Sequence, residues 1–370
     1  MRESITQYGP SRNSQHIAEL LDHIFAQGEN VDRKIFFPLC IWGTHGIGKT
    51  QMVKEYALSK DWGFSYIAPA QFEEMGDLHG MPKEINKDGK MVTVYSPPDW
   101  VPTTEGPGIL LIDDFNRADE RILKGCMQLL QNYELSSWKL PQKWEIVATA
   151  NPDLSDYSVT SLDDAMLTRM IHVTYEFNHK IWAKWAVKSG VDQRGVAFVL
   201  TYPELINNSR TTPRSLTQFF ELITNLTDLK NNLALVLTLA NTVLDEVTSN
   251  AFVSFINNDL DELINPEEIL NSQNFSSVVK RIEDLSSDVN KGERVDKIAV
   301  ITTRLYLHLT SSAYRPTERH AENLIKFLLS AQIPNDLSMG LYMDLQKSKD
   351  KDIQLMLRDK RLAMFLIDAM

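Results

Sequence analysis

Residues 43–50 read Gly43-Thr44-His45-Gly46-Ile47-Gly48-Lys49-Thr50, and they follow the apolar run Ile35-Phe36-Phe37-Pro38-Leu39-Cys40-Ile41-Trp42, which predicts a buried strand. The glycines let the backbone curl until successive N–H groups face one anion. In such a loop Lys49 reaches the β- and γ-phosphates of a nucleotide, and the Thr50 hydroxyl can bind Mg²⁺. A helix predicted from Gln51 to about Ser59 adds the positive end of its dipole. With a strand before it and a helix after it, the loop indicates a nucleotide-binding site rather than a solvent-exposed turn.

A second apolar strand ends in two carboxylates. Residues 108–112 are continuously apolar, as expected for a strand buried on both faces, and Asp113 and Asp114 follow directly. The polar end of such a strand emerges at the ligand-binding edge of a parallel sheet. Asp113 is the natural partner of Mg²⁺, directly or through water, and Asp114 is placed to polarise an attacking water. The alternative is a strand-end turn or a helix N-cap, since Asp is favoured in both.

A third predicted strand, Trp144–Ala150, runs into Asn151 and Pro152. An amide at this strand end can hydrogen-bond the γ-phosphate or orient the water that attacks it. The alternative is a turn-forming Asn before Pro. The functional interpretation is favoured because this strand must end beside the other two.

Taken together, these segments resemble the AAA+ ATPases, closest to their MoxR-like and dynein-related branch, over about residues 13–225. The resemblance is carried by an ordered series: Gly43 to Thr50, Leu110 to Ala118, Ala148 to Pro152, Leu167 to Arg169 and Thr212 to Arg214. It implies that Asn151 is the sensor-1 residue, Arg169 the arginine finger and Arg214 the sensor-2 arginine. The family usually has Glu where this chain has Asp114, which is one methylene shorter, so slow hydrolysis is one expectation.

Both arginines also have ordinary structural interpretations. Arg169 ends a short helix predicted over residues 162–169, and it could contact a nearby Asp on the helix surface. Arg214 follows Pro213 at the start of a predicted helix, where a cation is unfavourable against the helix dipole unless an anion compensates. That placement supports a phosphate contact for Arg214. Arg210 is a weaker candidate for the same role, and Arg117 either serves a subunit interface or caps local structure.

The resemblance also implies a fold and a domain order. We expect an α/β fold with a P-loop AAA+ core and a five-stranded parallel sheet in residues 1–178, an α-helical lid in 179–250 and further C-terminal helices in 251–370. Within the core, Asp88-Gly89 between two β-type segments predicts a hairpin near residues 81–95. This hairpin resembles an element of the MoxR-like branch that faces the central pore of the ring. The alternative is a surface hairpin with no substrate role.

The function implied by the resemblance is ATP binding and hydrolysis with Mg²⁺ between the subunits of a homo-oligomeric ring, typically a hexamer. Hydrolysis would be coupled to lid motion and would remodel a protein partner in a chaperone-like manner. MoxR-like ATPases often work with a partner that bears a von Willebrand-type domain, which here would be a separate protein. One alternative is a motor or loader on nucleic acid, favoured if Lys83, Lys87 and Lys90 line a pore. Another is a nucleotide-controlled assembly scaffold with weak hydrolysis, which Asp114 makes credible.

Composition agrees with a cytoplasmic protein. The chain has 370 residues, enough for two or three domains, and its two cysteines, Cys40 and Cys126, offer neither a disulfide framework nor metal-ligand spacing. The first residues lack an apolar signal core, and the longest apolar stretch, near residues 233–240, is too short to span a bilayer, so no membrane association is expected. A formal net charge of −11 opposes general affinity for nucleic-acid phosphates.

Overall fold

The structure is a computed structural model that describes residues 8–28, 35–152, 159–206, 210–286, 295–311 and 314–369. The chain divides into two compact units between Phe177 and Asn178. The first unit contains the strands β1 (Ser11–Arg12), β2 (Leu39–Trp42), β3 (Gly63–Ile67), β4 (Met81–Lys87), β5 (Lys90–Ser96), β6 (Gly108–Ile112), β7 (Glu134–Leu135), β8 (Trp138–Lys139), β9 (Trp144–Ala150) and β10 (Ile171–Tyr175). Its helices are α1 (Ser14–Gly28), α2 (Lys49–Ser59), α3 (Met75–His79), α4 (Glu120–Asn132) and α5 (Asp164–Leu167).

Six parallel strands form the main sheet in the order β1-β10-β2-β9-β6-β3. The α/β fold predicted from the sequence is confirmed, but the sheet has one strand more than the five expected. The additional strand is β1, whose two residues pair with Thr174 and Tyr175. Residues 11 and 12 are free to form it because α1 begins only at Ser14, where the Asn13 side chain accepts hydrogen bonds from the amides of Gln15 and His16. Two residues are too few to show a strand pattern in a sequence.

The three central strands β2, β9 and β6 are buried along their whole length. Alternate residues face opposite sides of the sheet, so both sides need apolar residues, which explains the continuous apolar runs. On one side Leu39 and Ile41 pack with residues of α1 and α2, and on the other Cys40 and Trp42 pack with residues of α4. Because the strands are parallel, their carboxyl ends meet at one edge of the sheet.

The hairpin predicted around Asp88-Gly89 is present and is formed by β4 and β5. Lys87 pairs with Lys90, and the two residues between them have φ angles of 53° and 79°. Positive φ at both positions is the geometry of the two-residue turns that match strand twist. The side chains of Met81 and Met91 on this hairpin are 71% and 62% exposed.

The second unit is helical, as the sequence predicted from Asn178 onward. Its helices are α6 (His179–Lys188), α7 (Gln193–Thr201), α8 (Pro213–Ile223), α9 (Leu233–Val243), α10 (Glu246–Ser254), α11 (Pro266–Asn271), α12 (Phe275–Ser286), α13 (Val295–Leu309), α14 (Glu318–Leu328), α15 (Asn335–Gln346), α16 (Lys351–Met356) and α17 (Lys360–Ala369). An aromatic cluster of Phe198, Phe219, Phe220, Phe252 and Phe255 is fully buried where α7, α8 and α10 meet. Among the described residues of the chain, none of the helices has the length and apolar character that a membrane crossing needs.

Candidate nucleotide-binding site

The predicted phosphate loop lies between β2 and α2. Gly46 and Gly48 have φ angles of 72° and 94°, a conformation that L side chains rarely adopt. A Cβ added at Gly48 would meet no atom within 4 Å, so this glycine is required by its backbone conformation and not by space. The Gly43 amide donates to the Ala150 carbonyl oxygen at 3.1 Å, which fixes the start of the loop to β9. The loop therefore has the curled backbone that anion binding requires.

Lys49 is almost completely buried in this loop, with a relative exposure of 6%. Its Nζ donates to the carbonyl oxygens of Gly43 at 2.7 Å and Thr44 at 3.0 Å, and to Oδ1 of Asn151 at 3.1 Å. A charge-assisted hydrogen bond thus joins the phosphate loop to the residue that follows β9.

The Asp113 carboxylate accepts hydrogen bonds from hydroxyl groups of three different elements. Its Oδ1 accepts from Thr50 Oγ1 at 2.7 Å and from Thr149 Oγ1 at 2.6 Å, and its Oδ2 accepts from the Tyr66 hydroxyl at 3.2 Å. Burial, and to a smaller extent the negative charge of Asp113, raises the pKa of Tyr66 to about 12. Thr50 and Asp113 present hard oxygen ligands side by side, which fits the small site of one carboxylate, one hydroxyl and phosphate oxygens that Mg²⁺ uses in nucleotide enzymes.

Asp114 follows in a left-handed backbone conformation with φ 48°, which Asp tolerates better than most residues. Its Oδ1 accepts from Asn151 Nδ2 at 2.8 Å, and its Oδ2 lies 3.5 Å from Nε of Arg117. The fully buried Asn151 side chain therefore joins Lys49 to Asp114. Arg117 therefore makes a local contact with Asp114, and its role at a subunit interface stays a prediction.

Three residues of this network were missed by reasoning from the sequence: Tyr66, Asn116 and Thr149. The Asn116 carboxamide makes two hydrogen bonds with the backbone of Asn151. Thr149 accepts from the Asp114 amide at 2.9 Å while its hydroxyl donates to Asp113. A lone hydroxyl residue in an otherwise apolar strand was the available signal for Thr149. For Tyr66 and Asn116 the sequence offered no comparable signal, because strand order and turn geometry create their contacts.

The described hydrogen bonds of Arg169 go to residues outside this network. Arg169 is half-buried, and it donates to Gln131 Oε1 at 3.2 Å and to the carbonyl oxygen of Ala165. Neither acceptor is the neighbouring carboxylate that the alternative interpretation named. In the second unit Arg214 is exposed at the second residue of α8, which Thr212 caps through its hydroxyl. The roles of both arginines remain predictions.

Arg210, the weaker candidate for the sensor-2 role, donates from Nη2 to the Thr242 carbonyl oxygen at 3.1 Å. This contact holds its guanidinium against the last turn of α9, within the second unit.

Comparison with known proteins adds an independent observation. A family model described as an AAA domain of the dynein-related subfamily matches residues 38–170. No curated protein matches the sequence. Among solved structures, a mutant of Thermotoga maritima RuvB has 13% sequence identity, covers 70% of this chain and 75% of that chain, and has a TM-score of 0.40. The Thermotoga maritima RuvB Holliday junction branch migration motor has 12% identity, coverages of 83% and 89%, and a TM-score of 0.36.

The span matched by the family model contains the phosphate loop, the acidic strand end and the strand that precedes Asn151. These are the elements that the hydrogen-bonded network brings together. Residues 38–170 therefore match an AAA domain of the dynein-related subfamily, in agreement with the family resemblance of the sequence.

Proposed function

We propose that this chain forms a ring, with MgATP between neighbouring subunits, and that ATP hydrolysis in the ring remodels a protein partner, as in the MoxR-like branch. The observation that carries the hydrolytic part is the hydrogen-bonded network joining Lys49, Thr50, Asp113, Asp114 and Asn151. A phosphate-binding loop, a hard cation site and a carboxylate for water are contiguous in it. A hexamer and a cytoplasmic location belong to this proposal.

Each residue of the network has a distinct task in this mechanism. Lys49 and the loop amides bind the phosphates, while Thr50 and Asp113 would hold Mg²⁺, which neutralises charge on the phosphate oxygens when bound. Asp114 accepts a hydrogen bond from the attacking water and orients it, as a carboxylate base does. Asn151 holds the Asp114 carboxylate through its Nδ2 and so sets the direction of that base.

The assembly is supported by the position of Arg169. Its contacts with Gln131 and Ala165 lie outside the network, and its side chain keeps an exposed part. An arginine that completes the site of a neighbouring subunit must keep part of its side chain exposed on its own domain, as Arg169 does. In the ring, Arg169 would act on the phosphates bound by the next subunit, and Arg214 on those of its own.

A protein partner is favoured by the hairpin of β4 and β5. Met81 and Met91 expose apolar side chains there, and the chain as a whole carries a formal net charge of −11. Flexible apolar Met side chains suit a protein surface. The second candidate is a nucleic-acid partner, which the exposed Lys83, Lys87 and Lys90 of the same hairpin favour.

The proposal is tested with the hydrolysis-blocked variant Asp114→Asn, which we expect to keep its partner bound in the presence of ATP. The partner is captured from a lysate with and without nuclease treatment, identified, purified and added back to the parent chain. A purified protein that raises ATP turnover supports the proposal. Nucleic acid that raises turnover, with affinity that falls steeply as salt rises, would replace the protein partner by the second candidate.

The hairpin provides a matched pair of variants for the same assay. One carries Met81→Ser and Met91→Ser, and the other carries Lys83→Gln, Lys87→Gln and Lys90→Gln. For a protein partner held by apolar contacts, the first variant should lose capture and stimulation while the second keeps them. The reverse result would contradict the proposal and support binding to nucleic acid.

A further inference from the structure

Asn116 is buried beside Asn151 and uses both polar atoms of its carboxamide on the backbone of that residue. Its Nδ2 donates to the Asn151 carbonyl oxygen at 2.7 Å, and its Oδ1 accepts from the Asn151 amide at 3.0 Å. The relative exposures of Asn116 and Asn151 are 2% and 0%. The two residues thus form a closed pair of hydrogen bonds away from water.

These two hydrogen bonds give the Asn151 backbone the partners that a neighbouring strand would otherwise provide. The pairing of β9 with β2 stops at Ala150, and its pairing with β6 stops at Ala148. Asn151 is the next residue, so its amide and carbonyl groups lie beyond both ladders although they are fully buried. A buried backbone group without a partner is costly, and the Asn116 carboxamide offers the matching donor and acceptor to both groups.

The side chain of Asn151 needs a fixed backbone because its oxygen must face a donor while its nitrogen must face an acceptor. Its Oδ1 accepts from Lys49 Nζ at 3.1 Å, and its Nδ2 donates to Asp114 Oδ1 at 2.8 Å. A flipped amide would place two donors together at Lys49 and two acceptors together at Asp114. A displacement of the backbone would move both contacts at once.

Asn116 also lies on the turn that begins at Asp114. The short turn Phe115–Arg117 follows Asp114 directly, and Phe115 is fully buried beneath it. The turn that follows Asp114 therefore also carries Asn116, which binds the backbone of the residue whose side-chain amide contacts the Asp114 carboxylate.

We propose that Asn116 is a positioning residue for ATP hydrolysis. It fixes the backbone of Asn151, so that the side-chain amide of Asn151 holds the Asp114 carboxylate in the orientation that directs the attacking water. The proposal rests on the proposed hydrolytic function of this site. Asn116 acts only through Asn151, so its loss should affect turnover and leave the phosphate loop intact.

The test compares Asn116→Ala and Asn116→Asp with Asn151→Ala and with the double variant Asn116→Ala/Asn151→Ala, all in the full chain. The isosteric Asp keeps the acceptor for the Asn151 amide but cannot donate to its carbonyl oxygen at neutral pH. Turnover is normalised to the number of sites that bind a non-hydrolysable ATP analogue, so that unfolded molecules do not count. Both Asn116 variants should lower kcat by roughly 10- to 100-fold, the range of a slightly misplaced catalytic group, and leave KM near the parent value.

Two further measurements separate positioning from a general structural role. In the double variant, kcat should equal that of Asn151→Ala alone, because a residue that acts through Asn151 has nothing left to position. In the nucleotide-free chain, Asn116→Ala should speed hydrogen exchange of the Asn151 amide. The matched control is Thr160→Val, which removes the hydrogen bond of 2.9 Å from Thr160 Oγ1 to the Ala118 carbonyl oxygen in the same region. It should change neither quantity.

Suppose that Asn151→Ala is impaired in hydrolysis. A parent-like kcat in Asn116→Ala, or additive losses of kcat in the double variant, would then overturn the proposal. If Asn151→Ala itself hydrolyses ATP at the parent rate, the proposed role of Asn151 in hydrolysis is wrong, and the positioning role falls with it. The exchange measurement distinguishes these cases, since it reports on the hydrogen bonds of Asn116 without any nucleotide.

Discussion

Thr50 Oγ1 lies 2.7 Å from Asp113 Oδ1, although the two residues follow different strands of the sheet. Thr50 belongs to the helix after β2, and Asp113 follows β6, with β9 between these two strands. Thr149 of β9 bridges the gap by donating to the same Asp113 oxygen. The strand order thus brings residues that are distant in the chain into one cluster of hard oxygen atoms beside the phosphate loop.

Lys49→Ala should weaken ATP affinity by roughly 10- to 100-fold, the loss expected when a charged hydrogen-bond donor to a phosphate is removed. Calorimetric titration with a non-hydrolysable ATP analogue measures this loss, and a thermal melt checks the fold. Lys54→Ala is the control, since Lys54 is exposed on the same helix. Undiminished ATP binding by the Lys49 variant would end the assignment of the phosphate loop.

Asp113→Asn and Asp114→Asn should affect different steps of the ATPase reaction. The first reduces the negative charge available to Mg²⁺, so it should impair Mg²⁺-dependent binding or turnover. The second removes the carboxylate that accepts from the attacking water, so ATP should stay bound while hydrolysis stops. Binding and turnover are measured over a series of Mg²⁺ concentrations. Hydrolysis at the parent rate in the Asp114 variant would show that Asp114 does not position the water.

Asp114→Glu should preserve or raise kcat, because it restores the side-chain length usual in the family. The longer side chain must still meet Asn151 Nδ2, which now lies 2.8 Å from the Asp114 oxygen. Steady-state hydrolysis of the variant and the parent chain at saturating MgATP provides the comparison. Complete loss of activity would mean that the network is built around the shorter carboxylate.

Arg169→Ala should spare ATP binding and reduce turnover, since an arginine finger acts mainly on charge that develops in the transition state and is worth roughly 10³- to 10⁵-fold in rate. Mixing this variant with Asp114→Asn should restore part of the activity, because some sites then combine an intact finger with an intact carboxylate. Native mass spectrometry confirms co-assembly. Mixed assemblies that stay inactive would refute action between subunits and leave Arg169 as a structural partner of Gln131 and Ala165.

Gly195→Ala and Gly340→Ala should have opposite effects on stability. A Cβ at Gly195 in α7 would overlap the ring of the buried Phe220, and such overpacking costs about 1–3 kcal/mol. At Gly340 in α15 no atom lies within 4 Å of the added Cβ, so the change should stabilise the helix by about 0.5–1 kcal/mol. Urea denaturation of the two variants and the parent chain measures both differences. Equal midpoints for the two variants would contradict the packing described around Phe220.

The sequence predicted the elements of the site because each has a local physical signature. Glycines that need positive φ, carboxylates after an apolar run and an amide before Pro152 are all visible without knowledge of the fold. The positions of Asn116 and Tyr66 were not predictable in this way. Asn116 matters because β9 stops pairing one residue before Asn151, and Tyr66 matters because β3 lies beside β6. Strand order and pairing length are properties of the assembled sheet.

The two arginines illustrate a different limit of sequence patterns. Arg169 and Arg214 were assigned by their order along the chain, but their proposed targets lie in another subunit or in the other compact unit. Their own surroundings give only local contacts for Arg169 and an exposed helix start for Arg214. For Arg169, the experiment with mixed assemblies therefore carries more weight than any pattern within one chain.

The two-residue strand β1 has a consequence for how copies of the chain meet one another. Without it, β10 would be the outermost strand and would offer unpaired amide and carbonyl groups to strands of other molecules, a route to aggregation. Pairing with Ser11 and Arg12 covers the carboxyl end of β10, and the Ser11 hydroxyl donates to Glu176 just beyond it at 3.0 Å. The outermost strand is thus very short and bears the charge of Arg12, and both properties discourage the addition of further strands. The short strand β1 therefore disfavours the pairing of other molecules with the main sheet at its β10 side.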